Sequence, residues 1–264
     1  KVFDIVLTMT NGQWNSQVLA NLMFDWMFRG GGDFGRGATI AMEKQIASLG
    51  TNVLNVMPGS MRVGGRQLGF GGAQPFSEKD LRALREKVAD IAAISGQLNG
   101  SINVVYGAAN WSTTVNGVHA EYQDVRPWTL KSGRYFSAEE VDRGATVAVL
   151  GSSVTRELFD TIDPVGEIVR INNIPFEIIG VLTTRGQSGG PTDPDDVVMV
   201  PLTTARSRLV GRMFATVPDT VGSLQVRVAD GASLAAVQGQ VARVLRRQRG
   251  IGDGQEDNFS IRNF

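Results

Sequence analysis

The sequence contains no cysteine. This removes disulfides, thiolate nucleophiles and cysteine-ligated zinc or iron–sulfur centres together, and it leaves the redox compartment undecided. Histidine is nearly missing as well: His119 is the single one in 264 residues. Neither sign of charge is in excess, with 26 Lys plus Arg against 26 Asp plus Glu. A nucleic-acid binder needs a basic face to neutralise phosphates, so the balance argues against that class. No apolar run approaches the roughly 18 residues of a membrane span. No G-x-x-x-x-G-K-[ST] or H-E-x-x-H occurs, so the phosphate loop and the zinc-peptidase helix are both missing.

Glycine, by contrast, is abundant at 32 residues and much of it clusters in loops. Gly30, Gly32 and Gly35 spell G-x-G-x-x-G. A dinucleotide site needs an apolar strand directly before that spacing, and Phe24–Arg29 carries an Asp and an Arg, so the tract reads as a hinge. Val18–Phe28 before it reads as a half-buried packing helix, with an interfacial helix as the alternative. A boundary is placed after residue 36, and residues 1–36 stand as a leader unlike the rest. Ser60–Gln74, with Arg62 and Arg66, reads as a mobile surface loop, with anion binding as the alternative.

The most legible stretch is Ala145–Leu182. Val147–Leu150 is a short buried strand. Ser153–Phe159 makes two helical turns with Val154 and Leu158 on one face. Asp163-Pro164-Val165-Gly166 is a turn. Glu167–Ile171 and Phe176–Leu182 are strands joined by Asn172-Asn173, residues suited to a tight hairpin. Elsewhere, Ala38–Leu49 reads as a helix stopped by Gly50, and Asn52–Met57 as a strand. Ser77 and Asp80 form a near capping box that opens a helix, and Ser137 with Glu140 forms a full one. Ile102–Tyr106, Trp111–Val115 and Val118–Val125 read as strands, the last two joined at Asn116-Gly117 by the strongest hairpin signal in the chain. Ser223–Val228, a helix capped by Ser233, and Phe259–Ile261 close the sequence.

Candidate chemistry is thin. A Ser–His–Asp set with His119 and Asp124 is formally open, but His119 reads as structural or exposed. Glu139 and Glu140 are explained by the positive end of their helix. Asp193-Pro194-Asp195-Asp196 lacks the Gly and distal Glu of a calcium loop and reads as a solvated turn.

Five pieces in fixed order carry a resemblance. They are Leu49-Gly50-Thr51-Asn52 with Pro58-Gly59; Leu130 to Phe136 (LKSGRYF); Val147-Ala148-Val149-Leu150-Gly151; Asp163-Pro164-Val165-Gly166; and Phe176 to Leu182 (FEIIGVL). From about Gly37 to Phe264 the chain resembles the periplasmic core domain of MacB-type ABC transporter permeases. The resemblance implies an α+β fold: a porter-like subdomain of two β-α-β units, residues 37–101 and 197–264, with an inserted β-rich subdomain, residues 102–196. It implies a periplasmic domain of an inner-membrane protein, tethered at both ends to membrane helices. Such a domain is not an enzyme and holds no cofactor; ATP hydrolysis belongs to a separate ATPase domain of the full permease. The implied partners are a periplasmic adaptor (membrane fusion) protein, an outer-membrane channel indirectly, and a second permease copy in a homodimer. Arg62, Arg66, Arg185 and Gln187 are the candidate partner-contact residues, on the loops Ser60–Gln74 and Thr183–Asp196. Lipoprotein release and FtsX-like control of a cell-wall hydrolase remain alternatives on the same fold. A small-molecule-binding or hydrolytic domain around His119 is the alternative of another class.

Overall fold

Two β-α-β units far apart in sequence interleave their strands. Strand β1 (Val53–Pro58) leads through helix α1 (Glu78–Lys87) to β5 (Ile91–Tyr106), and β13 (Ser223–Val228) leads through α6 (Leu234–Gln248) to β14 (Phe259–Asn263). β1 lies between β13 and β14, and β13 between β1 and β5, all antiparallel, giving the order β14-β1-β13-β5. The first unit cannot complete its sheet without the second. This computed structural model describes residues 52–63, 66–70, 74–185, 193–210 and 219–263, and for 60–63 and 66–70 the backbone alone. The Gly30–Gly35 joint, the helix read at Ala38–Leu49, and Gln187 lie outside these residues. Among the described residues no helix is long and apolar enough to cross a membrane.

Both unit helices follow from their sequences. Ser77 caps α1, and its backbone N–H donates to the Asp80 carboxylate at 2.9 Å, which satisfies one donor and places a negative charge at the positive helix end. Leu81 and Leu84 then face the sheet. In α6, Ser233 Oγ accepts from Ala236 N–H, and Val237, Val241 and Leu245, at helical spacing, are fully buried. They pack with Leu54, Val56, Leu224 and Val226 from alternate positions of β1 and β13. Between β1 and α1 the chain forms the hairpin β2 (Ser60–Val63) and β3 (Arg66–Phe70) and the short β4 (Phe76–Ser77), which pairs with β12 (Thr220–Val221). The segment read as a surface loop is thus paired backbone over 60–63 and 66–70.

β5 does not end where the first sheet does. It continues as one strand to Tyr106, through the 101/102 boundary drawn from sequence, and its far half starts a barrel. It pairs there with β6 (Ala109–Val118), and the ring continues through β11 (Val197–Pro201), β8 (Val147–Leu150), β10 (Ile174–Leu182) and β9 (Ile168–Ile171), which pairs back onto β5. Closure leaves this ring of strands no open edge. Alternation fills it: Ala148, Leu150, Phe176, Ile178, Val198 and Val200 belong to one buried cluster. Their neighbours Val147, Val149, Ile179 and Met199 belong to a second, packed with Tyr122, Trp128, Phe136 and Val141. That second cluster comes with α2 (Tyr122–Val125), β7 (Leu130–Gly133) and α3 (Ala138–Asp142). Helix α4 (Ser152–Phe159) adds Val154, Leu158 and Phe159 to the first cluster.

Two sequence readings fail here for one reason. Asn116-Gly117 is not a turn, and Val118–Val125 is not a returning strand. Asn116 and Gly117 sit inside β6, paired with Asn99 and Leu98 on one side and with Met199 and Val200 on the other. Gly117 is required for contact, because a Cβ there would lie 2.3 Å from the Ala205 Cβ. Ala205 opens a π-helical turn, Ala205–Leu209, that continues α5 (Leu202–Thr204) across the strand. The reversal of the chain occurs earlier, at Gly107, whose φ is +57°.

Candidate functional site

A cleft of about 310 Å³ lies between α1 on one side and, on the other, α3 and residues 119–121, which join β6 to α2. Its lining includes Leu81, Arg82 and Arg85 from α1, and Ala120, Glu121 and Val141 facing them. At one end stand Glu78 and His119. Glu78 occupies the first turn of α1, where the capping box fixes its direction. One oxygen of its carboxylate accepts from Arg206 Nη2 at 2.6 Å and from His119 Nε2 at 3.3 Å. The three side chains are half-buried or more, with exposures of 28, 15 and 18%.

The surroundings settle the roles of the imidazole nitrogens. Gly96 N–H donates to His119 Nδ1 at 3.0 Å, so Nδ1 is the acceptor. Nε2 then carries the proton and donates to Glu78. The ring lies close against β5 because residue 96 is glycine: a Cβ there would come within 2.7 Å of Val221 and 3.2 Å of the ring. Arg206 is brought in by the π-helical turn, and its Nε donates to the Thr220 carbonyl at 2.9 Å. Burial works to raise the Glu78 carboxyl, but the hydrogen bonds from His119 and Arg206 and the guanidinium charge outweigh it and hold the group at about 2. It is ionised at any neutral pH.

This arrangement does not build a nucleophile. Ser95 Oγ donates to the Gly96 carbonyl and accepts from the His119 backbone N–H, not from the ring. Asp124 belongs to α2, and its carbonyl accepts from Arg227. The Ser–His–Asp reading therefore has no geometry behind it.

Residues 34–244 match the family described as the MacB-like periplasmic core domain. The chain belongs to this family. It is 37% identical over 230 residues to a macrolide export ATP-binding/permease protein MacB of Chlorobaculum tepidum, covering 87% of this chain and 34% of that protein. A MacB protein of Bdellovibrio bacteriovorus is also 37% identical, over 231 residues, with the same coverage. The chain thus spans about a third of the length of the curated relatives it matches. Among solved structures, the periplasmic region of MacB from Actinobacillus actinomycetemcomitans shares the fold with a TM-score of 0.66 at 24% identity, covering 83% of this chain and 92% of that one. The extracellular domain of the ABC-type transporter YknZ from Gram-positive bacteria does so with a TM-score of 0.62 at 18% identity, covering 80% of this chain and 100% of that one.

As a MacB-like periplasmic core domain, the chain is the periplasmic part of an inner-membrane ABC permease, and the residues singled out from its sequence fall into place unequally. Arg62 and Arg66 stand on paired strands, Arg62 opposite Gln67 and Arg66 opposite Val63. Arg185 stays exposed and lies along the protein surface: its guanidinium is 3.8 Å from the Trp128 ring centroid and donates to the Pro127 carbonyl. The acids after it are engaged as acceptors. Asp193 takes Ser153 Oγ at 2.5 Å, Asp195 takes the Arg185 backbone N–H at 2.9 Å, and Asp196 takes Trp111 Nε1 at 2.9 Å. Those carboxylates hold the loop to the barrel, where the sequence reading had a solvated turn. Glu78 and Arg206 were not singled out in the sequence. Residues 78, 119 and 206 meet only through the tertiary fold, and no local pattern links them.

Proposed function

We propose that this domain serves an ABC export permease by displacement: it carries ATP-driven motion of the membrane part outward and docks on a periplasmic adaptor of a tripartite efflux assembly. In this reading the interleaved β-α-β units form the porter-like subdomain and the barrel is the inserted subdomain. The domain works in a homodimer, makes and breaks no bond and uses no cofactor of its own; the ATPase domain of the full permease supplies the work. MacB relatives are named as macrolide exporters, and a substrate of that class is the corresponding expectation for the full protein.

The observation that carries the docking is an apolar tip at the far end of β5. Val53, Arg227, Ala93 and the adjacent Leu54–Asn263 pair form one row across the first sheet, so β1 starts and β14 ends side by side there. From that row β5 runs roughly 40 Å to Tyr106, at about 3.3 Å per residue. Around Tyr106 stand two exposed isoleucines. Ile168, 61% exposed, follows Glu167, which accepts from the Tyr106 hydroxyl at 3.0 Å. Ile162, 55% exposed, donates its N–H to the carbonyl of Phe159, whose ring lies 4.1 Å from that of Tyr106. An adaptor docked there would cover both side chains and take their apolar surface out of water.

The test is co-purification of the cognate adaptor with the full-length permease. Ile162→Ser/Ile168→Ser is expected to abolish capture while ATP hydrolysis by the permease alone persists. Capture equal to that of the unaltered permease would overturn the docking assignment.

A further inference from the structure

Helix α1 faces α3 across the cleft, and open space replaces side-chain packing there. About 310 Å³ is room for roughly ten waters at ~30 Å³ each. Packed interiors resist displacement because their atoms interlock; a gap does not. What spans it is polar. Arg85 Nη2 reaches Glu121 at 3.6 Å, with both side chains about half exposed. Away from the cleft, Arg227 Nη1 on β13 reaches the Asp124 carbonyl of α2 at 3.0 Å. Exposed pairs of this kind contribute little. Glu78 differs from both. Its bonds to Arg206 and His119 are charge-assisted, half-buried and made to two separate segments at once, and such bonds are the strong ones. Arg206 in turn ties the π-helical turn to Thr220. The turn itself is seated on β6 through the Gly117–Ala205 contact.

We propose that Glu78 is a latch. While its carboxylate holds His119 and Arg206, α1 with its sheet and the barrel move as one lever. When those bonds are exchanged for water, α1 swings from α3 and the cleft opens. The device is a property of the domain itself and stands apart from what the permease exports or which partner it meets.

The absence of native cysteine makes the test direct. Glu86→Cys on α1 and Glu139→Cys on α3 are both exposed positions, and spin labels there report the width of the cleft. In the otherwise unaltered chain a single short distance is expected. In Glu78→Gln and in Arg206→Gln a longer distance is expected to gain population about tenfold. The double variant should go no further than either single one, as coupled residues do. Glu140→Gln, which breaks the ion pair of α3 with Arg134 and touches neither Glu78 nor Arg206, should keep the short distance although it also lowers stability. An unchanged distance in both Glu78→Gln and Arg206→Gln, or the same longer distance in Glu140→Gln, would overturn the latch.

Discussion

Arg134 grips Glu140 with two parallel bonds, Nη1 to Oε2 at 2.8 Å and Nη2 to Oε1 at 2.9 Å. Glu140 is 6% exposed and also closes the Ser137 capping box, accepting from the Ser137 N–H at 2.9 Å. The Arg134 bonds hold its carboxyl at about 2, against an ordinary value of 4.5, although burial opposes them. A carboxyl depressed on folding stabilises the protein fully above its unfolded value, and that contribution is lost as pH falls through the folded one. Stability measured by urea unfolding should therefore hold from pH 7 down to about 5 and fall between about 4.5 and 2. Glu78 is lowered to about 2 as well and adds to the same window. Glu140→Gln is expected to cost about 2 kcal/mol at pH 7, since it leaves a buried network short of one charged acceptor. It should also flatten the acid limb. An acid limb equal to that of the unaltered chain would remove this assignment.

Local chemistry was legible wherever the nearest neighbours in sequence decide the structure. The capping boxes at Ser77 and Ser137 fix helix starts with bonds three residues apart. Asn172 and Asn173 both take positive φ, 47° and 70°, in the tight turn between β9 and β10. Asn116-Gly117 carries the same kind of signal and is no turn, because strands on both sides and Ala205 above it dictate an extended backbone. Only Ile102–Tyr106 of β5 reads as a strand, because Gly96 and Gly100 interrupt the apolar pattern before it. Gly96 is present for the imidazole that lies against it, a contact residue 119 brings from just beyond the end of β6. The cleft was illegible for the same reason. Glu78 looked like an ordinary helix-start acid, and the distinctive feature of Arg206, its reach to Glu78, exists only once the π-helical turn is docked.

The barrel interior predicts a second contrast. Phe176 on β10 is fully buried among the inward-facing residues of the ring, while Ile168 on the paired strand β9 is 61% exposed. Phe176→Ala removes a large side chain from a closed ring whose strands cannot collapse inward, and should cost about 3–5 kcal/mol. Ile168→Ser removes apolar surface already in water and should change stability by no more than about 0.5 kcal/mol. Urea midpoints at constant m-value measure both. A Phe176→Ala cost as small as that of Ile168→Ser would mean that the ring is not a packed core.

The contact between Gly117 and Ala205 predicts a rescue. A methyl at residue 117 would sit 2.3 Å from the Ala205 Cβ, with the Leu98 carbonyl at 3.4 Å and the Leu202 Cα at 3.5 Å. The strand cannot retreat, because β5 and β11 bind it from both sides. Gly117→Ala must therefore lift the π-helical turn, and overpacking of this kind costs about 1–3 kcal/mol. Lifting the turn also withdraws Arg206 from Glu78, so the variant should share the longer label distance expected of Arg206→Gln. Ala205→Gly makes room for the new methyl at about 1 kcal/mol of its own, the price of glycine in a helix. Combined with Gly117→Ala it should restore the short distance and recover part of the lost stability. If the double variant is instead destabilised by the sum of the two single losses, the two residues do not meet, and the seat of the π-helical turn lies elsewhere.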